Sequence, residues 1–338
     1  MKNKNLHGFL TIFVLTLTLF TTRLMAQPAP VYPTEAPTIE ASQVLSFTWD
    51  NVDKYPLTTS LAFIATKNMV VTGGDDCQIC VWSLENGALL NHFVADVDWI
   101  RSISLSPDES TLAALGHNGS IKLWNTEDWS VRKELSKAPT GSEGIAYSPT
   151  GTKLAICGFE NKLTLYDPET GKADSSATMP STGNFAIEYS PDGKLLAAAG
   201  RNGVIRVWTA DGMKSLYDLE TSGRRIIDLA FSPDGSLLAA GGEESEIYVF
   251  DTATGKKVKT ISTGIGKTFS LCFCGGDILA SGDSLNSIRI WNLEDGTEIG
   301  RCLGHTGTVA AMYFDHEKGE LVSGGFDTTV RCWPLTNE

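Results

Sequence analysis

The stretch SPDGKLLAAAGRNGVIRVW, residues 190–208, reads as a tight turn, a strand of small residues, a second turn and a strand ending in an aromatic. The same strand ending recurs at Trp82, Trp124, Tyr166, Trp208, Phe250, Trp291 and Trp333, at intervals of 42, 42, 42, 42, 41 and 42 residues. Turns of the same kind precede most of these, at Ser106-Pro107-Asp108, Ser148-Pro149-Thr150-Gly151 and Ser232-Pro233-Asp234-Gly235. A further turn follows the aromatic, as in Glu169-Thr170-Gly171 or Ala253-Thr254-Gly255, and leads into another short apolar segment. Each unit is therefore expected to hold four short strands joined by tight turns.

A repeat of this length and pattern resembles the WD-repeat (WD40) family, in which each unit builds one propeller blade. The likeness runs from Val44 to Pro334, with the Trp-Asp signature in relaxed forms at Trp124-Asn125, Tyr166-Asp167, Phe250-Asp251 and Trp291-Asn292. A rival, the periplasmic propeller family with a related SPDG repeat, usually lacks the strand ending seen at Ile205 to Trp208. The resemblance implies an all-β, seven-bladed propeller of four-stranded antiparallel blades over residues 44–335, since the 295 residues after Gln43 hold seven repeats. Trp333 is followed by only five residues, too few for an outer strand. Val44 to Trp49 is expected to supply it, closing the ring and leaving no open sheet edge where the ends meet.

In this family a His ahead of the first strand, a Ser or Thr on the second, an Asp in the next turn and a Trp ending the third form a hydrogen-bonded network. Here the last repeat alone is complete, with Gly304-His305, Ser323, Asp327 and Trp333. The turn acid is kept as Asp76, Glu160 and Glu244, becomes Asn118 and Asn202, and is lost at Leu285, while Asp96 stands in the His position of the second repeat. His305, Ser323 and Asp327 have the composition of a hydrolase triad. The family pattern instead implies a buried network that pins loops and leaves no exposed nucleophile.

Residues at the family's narrower top face read Asp75, His117, Phe159, Arg201, Glu243, Ser284 and Phe326, a mixed row that repeats no ligand type. Around it stand the candidate partner-binding residues Trp99, Arg101, Phe159, Arg201, Arg224, Arg225 and Phe326, of the aromatic and arginine types that dominate interface hot spots. The competing reading has Arg224 and Arg225 neutralising Glu243 and Glu244, and Trp99 packing on the adjacent blade.

Composition narrows the function. Net charge is −13, and Met1 to Ala26 hold three cations and no acid, so a chain without them stands at −16. That balance argues against nucleic acid and anionic lipid as partners, because phosphate binding needs a concentrated cationic face. Lys2 and Lys4, the apolar run to Phe20 and the small residue Ala26 before Gln27 read as a signal peptide over residues 1–26. Its apolar run is too short to span a bilayer, and no cysteine follows it for lipid attachment, so no membrane insertion is expected after cleavage. Residues 27–43 carry four prolines and read as an extended spacer. The expected location is secreted or periplasmic.

Other motifs yield no chemistry. Seven scattered cysteines include Cys77-Gln-Ile-Cys80, with no second pair and no histidine nearby for a metal. Gly264 to Thr268 mimics the tail of a phosphate loop without its leading glycine or following helix, and His316 to Glu320 is not a zinc-protease motif because its fifth residue is Glu320. The expected function is a non-catalytic, monomeric scaffold that binds a protein or peptide on its top face, with no cofactor and no metal. The alternative is a propeller enzyme of hydrolase or lactonase type with its site in the central channel.

Overall fold

The computed structural model describes residues 36–46, 58–264 and 266–335. The expected signal segment, most of the spacer and residues 47–49 of the expected closing strand lie outside them. Seven sheets occur among the described residues, over residues 58–94, 100–134, 142–178, 184–220, 226–262, 268–303 and 309–334, here called blades one to seven. Each pairs its strands in sequential order, and the first strands contact one another around the ring, Val309–Asp315 meeting Thr58–Ile64. The architecture is a seven-bladed propeller of four-stranded antiparallel blades. The one helical element among the described residues is the short turn Ala65–Lys67, and none of their helices is long and apolar enough to cross a membrane.

The turns between first and second strands owe their shape to local hydrogen bonds. In blade four the Ser190 hydroxyl donates to Asp192 at 2.7 Å and accepts from the backbone N–H of Leu195 at 2.9 Å. Gly193 sits at φ +70°, a conformation that costs glycine little. Ser232, Asp234 and Gly235 repeat the arrangement in blade five.

The core is a ring of seven apolar clusters, each filling the gap between two neighbouring blades. The second strands lie between neighbouring blades and are buried, with Ala197, Ala198 and Ala199 of blade four fully enclosed alongside larger residues such as Leu112, Leu154 and Leu196. Farther out the gap widens and takes Trp124, Trp208 and Trp333.

Blade seven has three strands of its own, and its outer strand is Gln43–Ser46, which pairs antiparallel with residues 329–332. The ring is thus closed by a strand from the N-terminal side. Blade six gains a fifth strand, Thr38–Ile39, parallel to its outer strand Glu298–Leu303. Strand pairing to the propeller is therefore already present before Val44, at Thr38–Ile39 in the segment expected as spacer. Gly300 makes room for this: a Cβ there would stand 2.8 Å from Ile39 Cδ1. Equivalent outer-strand positions carry Lys133, Tyr217 and Lys259, whose side chains would occupy that notch.

Candidate binding face and the blade-seven network

The top face is formed where the turn between second and third strands meets the segment leading into the first. One backbone bond recurs there: the N–H of His117, Phe159, Arg201, Glu243 and Phe326 donates to the carbonyl of Trp99, Gly141, Gly183, Arg225 and Thr308, at 2.9 to 3.0 Å. These bonds tie each rim residue to the segment leading into the first strand of its own blade.

The side chains divide sharply. Trp99 is 54% exposed, with its ring 6.1 Å from that of His117. Arg101 is already engaged, its Nε donating at 2.7 Å to Glu143, a carboxylate buried on the next blade. Phe159 is 44% exposed and meets Phe185 edge-on at 5.9 Å. Arg225 lies over the Phe185 ring, 4.9 Å from its centroid, and 3.8 Å from Glu243. Arg224 is mostly exposed and stands 3.6 Å from Glu244. Phe326 packs edge-on against Phe269 at 6.4 Å. Arg201 is exposed and forms no ion pair among the described residues. The reading in which Arg224 and Arg225 neutralise local acids fits their contacts, whereas Trp99 is too exposed to serve as a packing lid.

Beside this rim an open cleft of about 630 Å³ is lined by Arg224, Glu243, Glu244, Glu246 and Lys267. Sequence reading missed Phe185, Phe269, Glu143 and Lys267. The period could have found three of them, because Glu143, Phe185 and Phe269 share the repeat position of Arg101.

In blade seven, His305 Nδ1 is 2.9 Å from Asp327 and Nε2 is 2.8 Å from the Ser323 hydroxyl, which also accepts from Trp333 Nε1 at 2.9 Å. A neutral imidazole with its proton on Nδ1 satisfies all three contacts: it donates to Asp327, and Ser323 donates to Nε2. Asp327 further accepts from the backbone N–H of Thr306 and Thr329. Ser323 has no exposed surface. A substrate carbonyl cannot reach its hydroxyl, so the trio is a clamp on the loop and not a nucleophile with its base.

Parts of this clamp recur. Thr72 accepts from Trp82 and Ser281 from Trp291, at 3.2 and 2.8 Å. The turn is capped by Asp76 in blade one, Asn118 in blade two and Asn202 in blade four, each through the backbone N–H two residues on. Blade six corrects the expectation that its turn acid is lost at Leu285. Asp283, two residues earlier, accepts from the N–H of Leu285 and Ser287 and from the Ser287 hydroxyl. Asp96, in the His position of the second repeat, pairs with Lys122 at 2.7 Å.

Seven such blades with a His–Ser–Asp–Trp clamp define a WD-repeat propeller. The chain belongs to the family described as the IFT122 first beta-propeller, whose model matches residues 57–334. Shorter stretches are similar to mitochondrial division protein 1 of Mycosarcoma maydis, 38% identical over 58 residues, which is 17% of this chain and 7% of that protein. The periodic tryptophan protein 2 homolog of Neurospora crassa is 41% identical over 64 residues, 18% of this chain and 7% of that protein. Cell division control protein 4 of Saccharomyces cerevisiae is 32% identical over 62 residues, 18% of this chain and 8% of that protein. The chain thus covers under a tenth of the length of these relatives.

Proposed function

We propose that the protein is a non-catalytic scaffold that binds a protein or peptide on its top face, in an extracytoplasmic compartment. The observation that carries the reading is a rim on which Trp99 and Phe159 stay exposed beside Arg201, which forms no ion pair among the described residues, while the His305–Ser323–Asp327 trio is sealed in the core. Exposed aromatics and arginine are the side chains that gain most when a partner covers them.

Crosslinking capture supplies the partner, and affinity measured with purified variants supplies the test. Trp99→Ala and Arg201→Ala are each expected to weaken binding by at least about thirtyfold, the level of an interface hot spot, with the melting temperature unchanged. Arg101→Ala is the contrasting case: it strands buried Glu143 and lowers stability by roughly 1 to 3 kcal/mol. Normal binding by both rim variants moves the interface to another surface.

The compartment rests on the amino-terminal pattern of Lys2, Lys4 and the apolar run to Phe20. Intact mass of the protein recovered from the exported fraction is expected to match a chain beginning near Gln27. A cytoplasmic protein retaining Met1 overturns that half of the proposal.

A further inference from the structure

Four bonds clasp neighbouring blades at the central channel, each donated to an inner-strand side chain by a backbone N–H 43 residues on. Ser60 accepts from Ile103 at 3.1 Å and Ser104 from Tyr147 at 2.9 Å. Glu188 accepts from Phe231 at 3.1 Å and Asp228 from Leu271 at 2.7 Å. Asp228 stands at the repeat position of Ser60, and Glu188 at that of Ser104. The same clasp is therefore made by hydroxyls between blades one, two and three, and by carboxyl groups between blades four, five and six. We propose that the inner strands of blades four to six form a pH-sensitive sector, whose carboxyl clasps hold the blades together when protonated and loosen them when ionised.

The surroundings give each acid no counter-charge. Neither Glu188 nor Asp228 forms an ion pair among the described residues, and the groups that act on Glu188 from the strand Ile226–Phe231 and the strand Thr268–Phe273 are Asp228 and Cys272. Tyr313, on the inner strand of blade seven, lies beyond Cys272. On the other side of Glu188, the strand Ser142–Tyr147 carries Tyr147 and Glu143, the latter held by Arg101. The second strands Leu195–Gly200 and Leu237–Gly242 carry no titratable group, and Asp283 at the end of the strand Ile278–Asp283 is tied to Ser287 and lies 3.6 Å from Arg289.

Protein packs densely around both carboxyls although each keeps partial contact with the channel. Burial pushes Glu188 well above the ordinary range, and repulsion from Asp228 adds to it, against the N–H of Phe231. Burial pushes Asp228 up to about 7, against the N–H groups of Leu271 and Leu229. In the unfolded chain these groups ionise near 3.9 and 4.3, roughly their ordinary values. Between about pH 5 and 7 the folded protein then binds more protons than the unfolded chain, so this contribution to stability falls as pH rises. Opening the sector at alkaline pH lets two like charges separate and complete a hydration that the closed channel leaves partial, which outweighs the stronger bond that an ionised acceptor makes to a single N–H.

The test is thermal melting of the full chain at pH 5.5 and 8.5, for the wild type and for Glu188→Gln combined with Asp228→Asn. The wild type is expected to lose roughly 3 to 5 °C more than the variant over that interval. Equal losses overturn the proposal. Glu188→Ser with Asp228→Ser gives the same comparison if the carboxamides do not fold, because Ser60 and Ser104 show that a hydroxyl can make the clasp. Amide exchange in the wild type is an independent reading. Protection at Phe231 and Leu271 is expected to fall about tenfold relative to Ile103 and Tyr147 between the two pH values, and an unchanged ratio overturns the proposal.

Discussion

A chain lacking residues 36–46 is expected to aggregate or melt far below the full protein, and Leu45→Ala alone to lower the melting temperature by roughly 5 to 10 °C. Leu45 is 3% exposed and sits in the cluster that joins blade seven to blade one, with Phe63, Val70, Trp82 and Val330. Truncating a buried leucine costs about 2 to 5 kcal/mol through lost burial and the cavity left behind. Deleting the strand does more. It uncovers the backbone donors and acceptors of residues 329–332, an open sheet edge able to pair with another chain. It also strips the cover from one face of the cluster on which ring closure depends, turning a closed array into one with two free ends. Val44→Ala is the control, because Val44 is exposed beside Leu45 and its loss should be nearly silent. Calorimetry and light scattering read both effects, and a truncated chain with unchanged melting and solubility shows that the ring closes without this strand.

His305→Ala is expected to cost roughly 3 kcal/mol at neutral pH, toward the upper end for a buried polar group that loses its partner. Without the imidazole, Asp327 faces a void with only Thr306, Thr329 and their N–H groups to satisfy it. Burial by itself pushes the Asp327 pKa up. The hydrogen bond from His305, then the N–H groups of Thr306 and Thr329, outweigh it and hold the carboxyl well below its usual range. A carboxyl depressed in this way stabilises the fold fully above its unfolded value near 4, and that stabilisation fades as pH falls through the folded value. The gap between wild type and His305→Ala is therefore expected to be widest above about pH 4 and to narrow under stronger acid. Denaturant titrations at pH 7 and in acid check it, and a variant as stable as the wild type places His305 outside the clamp.

Much of the fold was legible because its signals are short-range. Ser190, Asp192 and Gly193 close their turn through bonds spanning at most five residues, so the tetrapeptide reports its own geometry. The clamp in blade seven was readable for a related reason, since His305, Ser323, Asp327 and Trp333 lie within one repeat. Arg101 shows where that legibility stops. Its sequence position marks a rim cation, but the angle between blades two and three carries its guanidinium onto Glu143. Asp283 shows a second limit: a carboxylate two residues out of register still reaches the same N–H groups, which spacing alone does not reveal.

The sequence by itself determined the repeat, the number of blades, the turn chemistry and the need for a strand to complete blade seven, all consequences of hydrogen bonds and apolar periodicity within about 42 residues. Tertiary structure alone decided which rim cations are free, that Thr38–Ile39 docks on blade six, and that Glu188 and Asp228 clasp the blades that follow them. Those contacts join residues of different repeats, and their distances depend on the tilt between blades. That tilt is set by closing the whole ring, because seven wedges of fixed width must share one full turn about the axis.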